Sequence, residues 1–276
     1  MTSKARLLLL FIILAVKGTG QTDFATEQLL SIATTEEEIY KKIVEDPDFY
    51  NDVDLERRIN ELVQSYRAYL IDNPKDVNAL ILYGKLLRRV GERDQAFTAF
   101  LKADELDPKI AVVKQQIGTH LAEEGRGKAA LPFYLQATDF EPDVAIYHFG
   151  LGQLLYRYRD EFISEKLFTR DALDREMMKA FRKAASLEPD NFDFQMRLGE
   201  AYYDQNSPDW KAALLHWKKM RDNLDEGIDF EIINLHYARV LGKLGRAQEA
   251  REICQTVVHP KLQKSKQQVL SEITLH

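Results

Sequence analysis

The sequence predicts an all-α chain of stacked antiparallel helix pairs, and three observations carry that prediction. Pro74, Pro108 and Pro142 stand 34 residues apart, and a fixed period of that length is the mark of a repeat architecture. Between them the same residue types recur at the same offsets. Gly84, Gly91, Ala96, Phe100, Ala103 and Pro108 in one window are followed by Gly118, Gly125, Ala130, Tyr134, Ala137 and Pro142 in the next. The third observation is that each type has a physical use at its place. Glycine inside a first helix (Gly84, Gly118, Gly152, Gly199) costs about 1 kcal/mol of helix propensity against alanine, so close packing must offset it. Gly91, Gly125 and Gly245 stand where a first helix ends and a left-handed residue turns the chain. Ala96, Ala130 and Ala250 leave room where the second helix crosses the first, and Phe100, Tyr134, Phe181 and Trp217 fill the space between units. The closing proline ends the helix, because it has no N–H and disfavours helical geometry in the residue before it.

Taken in chain order, the spacing places a divergent first unit at about 35–76. It has a helix near Thr35 to Glu45, a long turn from Pro47 to Asp54, and a second helix carrying Leu62, Tyr66 and Tyr69. Regular units follow at 77–110 and 111–144. The unit at 145–191 opens on time with Leu151, Gly152 and Leu155, but Phe181, Ala184 and Pro189 arrive 13 residues late. The unit at 192–227 shows Leu198, Gly199 and Tyr202, then slips by about two residues at Asn206-Ser207-Pro208 before Ala213 and Trp217. A last unit spans 231–260, with Tyr237, Ala238, Leu241, Gly245 and Ala250. Beyond it, at 261–276, Leu262, Val269, Leu270 and Ile273 share one helical face. That segment is expected to cap the exposed apolar end of a repeat stack.

These marks resemble the tetratricopeptide repeat, a helix-turn-helix unit, from about 39 to 260. The resemblance implies a right-handed α-solenoid whose first helices line a concave groove that receives an extended peptide or a partner helix. Its inward offsets fall on Lys85, Arg88, Arg89, Gln115 and Thr119, then on Phe149, Gln153, Tyr156 and Arg157, then on Met196, Glu200 and Tyr203. Such a groove is aromatic and hydrogen-bonding, and basic toward one end, which suits a polypeptide because Tyr and Arg supply much of the energy at interfaces. Basic residues also complement a helix C-terminus, so Lys85, Arg88 and Arg89 are open to a second reading as a solvated helix end. One subfamily clamps the C-terminal carboxylate of chaperones with Lys and Asn. Ile81, Lys85, Gln116, Ile146 and Gly150 stand at those places here, and the clamp is missing. The late-arriving segment interleaves Tyr156, Tyr158, Phe162 and Phe168 with Arg157, Arg159, Lys166 and Arg170. It reads either as a partner contact or as two longer helices with Phe162, Ile163, Leu167 and Phe168 as a private core.

Composition is that of a globular chain, with 45% hydrophobic and 30% charged residues. At the N-terminus, Lys4 and Arg6 precede an apolar run from Leu7 to Val16 and then Lys17-Gly18-Thr19-Gly20, the layout of a secretory signal cleaved near Gly20. The run is short of the roughly 20 residues that span a bilayer, although an N-terminal membrane anchor stands as the alternative. Residues 1–20 are therefore expected to be a signal peptide, 21–34 a flexible leader, and the chain exported, to the periplasm or outside if bacterial. Cleavage removes Lys4, Arg6 and Lys17 and takes the formal charge from −6 to −9. A chain so acidic is a poor nucleic-acid binder, since phosphate contacts need clustered Lys and Arg. A single cysteine, Cys254, excludes an internal disulfide and fills an aromatic offset. No histidine pair has metal-ligand spacing, and no nucleophile, phosphate-loop or dinucleotide motif is present, so no catalytic, cofactor or metal residue is assigned. The function expected is a non-enzymatic exported scaffold for a polypeptide partner. A glycan- or ligand-binding accessory module and a self-assembling solenoid are the alternatives.

Overall fold

A computed structural model describes residues 24–274. Among the described residues there are fourteen α-helices, one short 3-10 turn and no strand. The expected signal segment at 1–20 lies outside them. The chain divides into two compact units, Met1–Phe140 and Glu141–His276.

In the first unit the helices are α1 (Phe24–Glu45), α2 (Asp52–Asp72), α3 (Val77–Arg89), α4 (Arg93–Leu106), α5 (Ala111–Glu123) and α6 (Gly127–Phe140). The leader expected at 21–34 is thus corrected to helix from Phe24 onward. Leu29, Ile32, Ala33, Glu36 and Ile39 recur at helical spacing and are all buried. The acid among them survives burial because Tyr66 donates its hydroxyl to Glu36 at 2.9 Å and Arg89 reaches it at 3.1 Å. Asn51 and Asp76 cap α2 and α3 by accepting the N–H groups of Asp54 and Ala79. At the end of α3, Gly91 has φ 89°. Its N–H bonds to the Arg88 carbonyl and that of Glu92 to the Leu87 carbonyl, closing the helix. Phe100 lies so close to Gly84 that an added Cβ would stand 2.8 Å from its ring, and Tyr134 repeats the contact on Gly118 at 3.0 Å.

The second unit contains α7 (Ala145–Arg157), α8 (Arg159–Ser164), α9 (Arg170–Leu187), α10 (Phe192–Asp204), α11 (Trp210–Asp222), α12 (Ile228–Lys243), α13 (Ala247–Gln255) and α14 (Gln263–Thr274). Here α9 packs on α7, with Phe181 against Gly152. The extra residues form the short α8, a turn and the first turn of α9, capped by Thr169. Phe162 of α8 is fully buried beside Tyr158 and Phe168, while Leu167 is exposed. The insertion therefore lengthens only α9, to 18 residues, while α7 keeps 13, so two longer helices are not what it builds.

The turn after α8 holds Lys166 at φ 58°, the positive-φ residue other than glycine among those described. Its N–H bonds to the Ile163 carbonyl and that of Leu167 to the Phe162 carbonyl, the same closure that Gly91 makes after α3. A left-handed conformation costs an L-residue about 1–2 kcal/mol, and glycine avoids it at the expense of a more flexible unfolded chain. Lys166→Gly should therefore raise the urea stability of the second unit by roughly 0.5–1 kcal/mol.

At the end of the second unit, Leu235, Ala238, Leu241, Ala250, Cys254, Val257, Val269 and Ile273 form one buried cluster. Ile273 of α14 packs against Gly242, and Arg239 reaches Glu272 at 2.8 Å. Glu231 accepts the N–H groups of Val258 and His259, fixing the turn that leads into α14.

Candidate functional site

In the first unit the cations expected to line a groove are engaged within the unit. Arg89 pairs with Glu36 and lies 3.9 Å from the Tyr40 ring centroid. Arg88 pairs with Glu123 of α5. Lys85 is half-buried, and its charge acts on Glu36, whose carboxyl is pushed above the usual range by burial against the opposing pull of Tyr66, Arg89 and Lys85. Thr119 donates to the Gln115 carbonyl at 2.8 Å and lies 3.0 Å from the Tyr134 hydroxyl. The basic end is accordingly partnered by Glu36 of α1 and Glu123 of α5.

The second unit places its expected residues differently. Phe149 stacks on Phe194 at 4.7 Å and meets Phe181 edge-on, so it is packing rather than surface. Met196 is half-buried on α10. Tyr203 is enclosed by Trp210, Trp217 and His236. Gln153, Tyr156 and Glu200 are gathered around Arg197, which sequence reasoning missed, and Arg157 is exposed. Arg197 is 9% exposed. It lies 4.4 Å from the Tyr156 ring and 4.6 Å from Phe181, donates to Gln153 Oε1 at 3.3 Å, and stands 3.9 Å from Glu200. Its Nη2 is 2.9 Å from Asp204 Oδ2, an ion pair without hydrogen-bond alignment.

Beside this group, the two irregular segments of the sequence meet. Asp174, in the lengthened start of α9, is 4% exposed. It accepts Arg170 Nε at 3.2 Å and the backbone N–H of Asn206 at 2.7 Å, and Arg159 of α8 stands 3.6 Å away. Arg170 also donates to the Asp204 carbonyl at 3.0 Å. The insertion between α7 and α9 thus holds the slipped turn after α10. Helices α7 and α8 and the start of α9 wall a cleft of about 740 Å³ lined by Gln153, Tyr156, Arg157, Arg159, Asp160 and Arg170. Tyr156 presents a ring that is 42% exposed, fixed by Arg197 on one contact and by Arg159 at 5.3 Å on another. Cation–ring contacts of this kind contribute roughly 0.5–2 kcal/mol, so the ring is a rigid platform.

The neighbouring aromatic cluster has an acid response. His236 stacks on Trp217 at 4.4 Å, and its Nδ1 lies 3.2 Å from the Tyr203 hydroxyl. Burial, helped by the Arg239 charge, lowers the His236 pKa to about 4. Burial also lowers that of His216, whose Nε2 bonds to the Gln195 carbonyl at 2.8 Å. The unfolded chain takes up these protons first, so stability is lost as pH falls from about 6.5 toward 4, at roughly 1.4 kcal/mol per unit for His236. The urea midpoint of the second unit should fall over that window, and His236→Phe should flatten the fall.

Other side chains with chemical potential have structural partners. His120 stacks on Phe97 at 4.0 Å, and His148 bonds to the Pro142 carbonyl at 2.8 Å. Cys254 is fully buried, and burial raises its thiol pKa. Among the described residues no group of three His, Cys, Asp or Glu could hold a metal ion, and no helix is long and apolar enough to cross a membrane.

Comparison with known proteins closes the description. No curated protein sequence matches the chain. Three solved structures are similar in fold. YrrB, a TPR protein with an unusual peptide-binding site, aligns at TM-score 0.61 and 14% identity over 76% of this chain and 97% of its own. PilW, a widely conserved type IV pilus biogenesis factor, aligns at TM-score 0.55 and 13% identity over 88% and 98%. MamA aligns at 0.50 and 17% over 71% and 97%. Residues 77–110 match the tetratricopeptide repeat model, and it is that repeat, stacked as helix pairs, whose fold the chain shares with these proteins.

Proposed function

We propose that this chain is an exported, non-enzymatic scaffold that holds a polypeptide partner on the first helices of its repeats, with the cleft beside Tyr156 as a main contact. One observation carries the reading: an exposed tyrosine held rigid by two arginines, next to an Arg157 that pairs with no described residue. A pre-positioned aromatic with a free guanidinium is the chemistry that anchors interfaces, because little side-chain freedom is lost when the partner arrives. The peptide-binding site ascribed to YrrB supports the same class of ligand. Export rests on Lys4, Arg6 and the apolar run that follows them.

The test is a thermal unfolding screen of the purified chain against degenerate 12-residue peptides, saccharides and nucleotides. Peptides at a hundredfold excess over Kd should stabilise it by about 2.7 kcal/mol, and Tyr156→Ala should remove the effect. Stabilisation by saccharides or nucleotides without any peptide effect would favour a ligand-binding module instead. For export, sequencing of the protein from its source cell should begin at Gln21. Retention of Met1 in a membrane fraction would support an anchor.

A further inference from the structure

The geometry points to a partner of defined chemistry: the cleft formed by α7, α8 and the start of α9 selects acidic side chains in an extended polypeptide segment. The inference rests on the polypeptide-binding reading and deepens it.

The argument is a balance of donors and acceptors. Arg157 is exposed and forms no ion pair or hydrogen bond with any described residue; it only rests 5.8 Å from the Tyr158 ring. Arg170 uses Nε and Nη2 on Asp174 and Asp204, which leaves Nη1 without a partner among the described residues. Gln153 accepts from Arg197 through Oε1, so its amide NH2 is available to the cleft. Arg159 adds positive charge from behind, its Nε buried and its Nη2 turned to Met177 and Asp174. Against these stands Asp160 at the rim, because Asp174 is buried and already accepts from Arg170 and Asn206. Three of the six lining residues are guanidiniums and one is a carboxylate, while Arg197 behind them is matched by Glu200 and Asp204. A site rich in donors and short of acceptors is completed by a ligand that brings acceptors, and carboxylates bind guanidinium through charge-assisted pairs.

The donors come from α7, α8 and α9 rather than from one fork. That spread suits a run of Asp or Glu side chains better than a single chain terminus. Nucleic-acid phosphate is disfavoured because three arginines in one cleft supply too few contacts for a backbone that carries a charge at every nucleotide. The repeat pattern places nothing like this at other units, since Arg159, Arg170 and Asp174 lie in the late-arriving segment and Asn206 in the slip. The slipped turn holds the start of α9 from behind, through Asn206 on Asp174 and the Asp204 carbonyl on Arg170.

The experiment uses the full chain and a pool of degenerate 12-residue peptides. Retained peptides should be enriched in Asp and Glu. Converting those acids to Asn and Gln in the best peptide should weaken binding at least tenfold. Arg157→Glu should do the same, while Lys211→Glu, an equal charge change on exposed α11, should leave affinity within twofold. Arg157→Gln serves if the reversed charge impairs folding. Retained peptides without acidic enrichment, or an Arg157→Glu chain that binds as well as wild type while Tyr156→Ala does not, would overturn acid selection and leave the polypeptide reading standing. Loss on C-terminal amidation alone would overturn the side-chain assignment. Failure to retain any peptide would overturn both readings.

Discussion

Gly199→Ala should destabilise the second unit by roughly 3 kcal/mol, although helix propensity alone would make it stabilising by about 1 kcal/mol. The sign is decided by Trp217. A Cβ at position 199 would stand 2.2 Å from Trp217 Cζ2 and 2.4 Å from Cη2, and the indole is fully buried. A buried ring stacked against His236 cannot swing aside as the end of a flexible chain could. The measurement is urea unfolding followed by far-ultraviolet circular dichroism. Trp217→Phe combined with Gly199→Ala should cost less than the sum of the two single changes, because the smaller ring removes the clash. A Gly199→Ala chain as stable as wild type would mean that α10 and α11 do not approach as closely as the structure has them.

Asp174→Ala should cost about 3–5 kcal/mol, the range for breaking a buried ion pair and leaving the remaining partners uncompensated. Arg170 and Arg159 would face each other without the carboxylate between them, and the Asn206 N–H would lose its acceptor. Asp174→Asn should recover part of the loss, since an amide oxygen still accepts from Asn206 but no longer neutralises two guanidiniums. Hydrogen exchange should show the loss concentrated at 204–206 and at the start of α9. Uniform weakening across the second unit would instead assign Asp174 a general packing role.

Most of the helix pairing was legible in the sequence because its determinants are local pairs: Gly84 with Phe100, Gly118 with Tyr134, Gly199 with Trp217. Each pair joins the two helices of one unit, which corrects the expectation that these aromatics fill the space between units, and a single period reveals them all. What escaped the pattern depends on long-range polar contacts. The first helix was read only from Thr35, because its segment at 24–34 precedes every periodic mark, and the groups that make burial of its Glu36 tolerable lie 30 and 53 residues away at Tyr66 and Arg89. A carboxylate on the apolar face of a helix was the available signal that such partners exist. Tyr203 sits at a groove offset in the sequence yet packs against His236, which belongs to a later unit. The joining of the insertion to the slip, through Asp174 and Asn206, spans 32 residues with no periodic mark at either end. The sequence showed two failures of register, and only the structure joined them.

The central claim, that this site faces a protein partner, is tested most directly by a photocrosslinking amino acid placed at position 156 in the source cell. The same probe at Leu215, 69% exposed on α11, is the reference. The account predicts a discrete protein adduct from position 156 that is lost when Arg157→Glu is introduced in the same chain, and no such adduct from position 215. Equal adducts at both positions, or an adduct at 156 indifferent to Arg157, would contradict it.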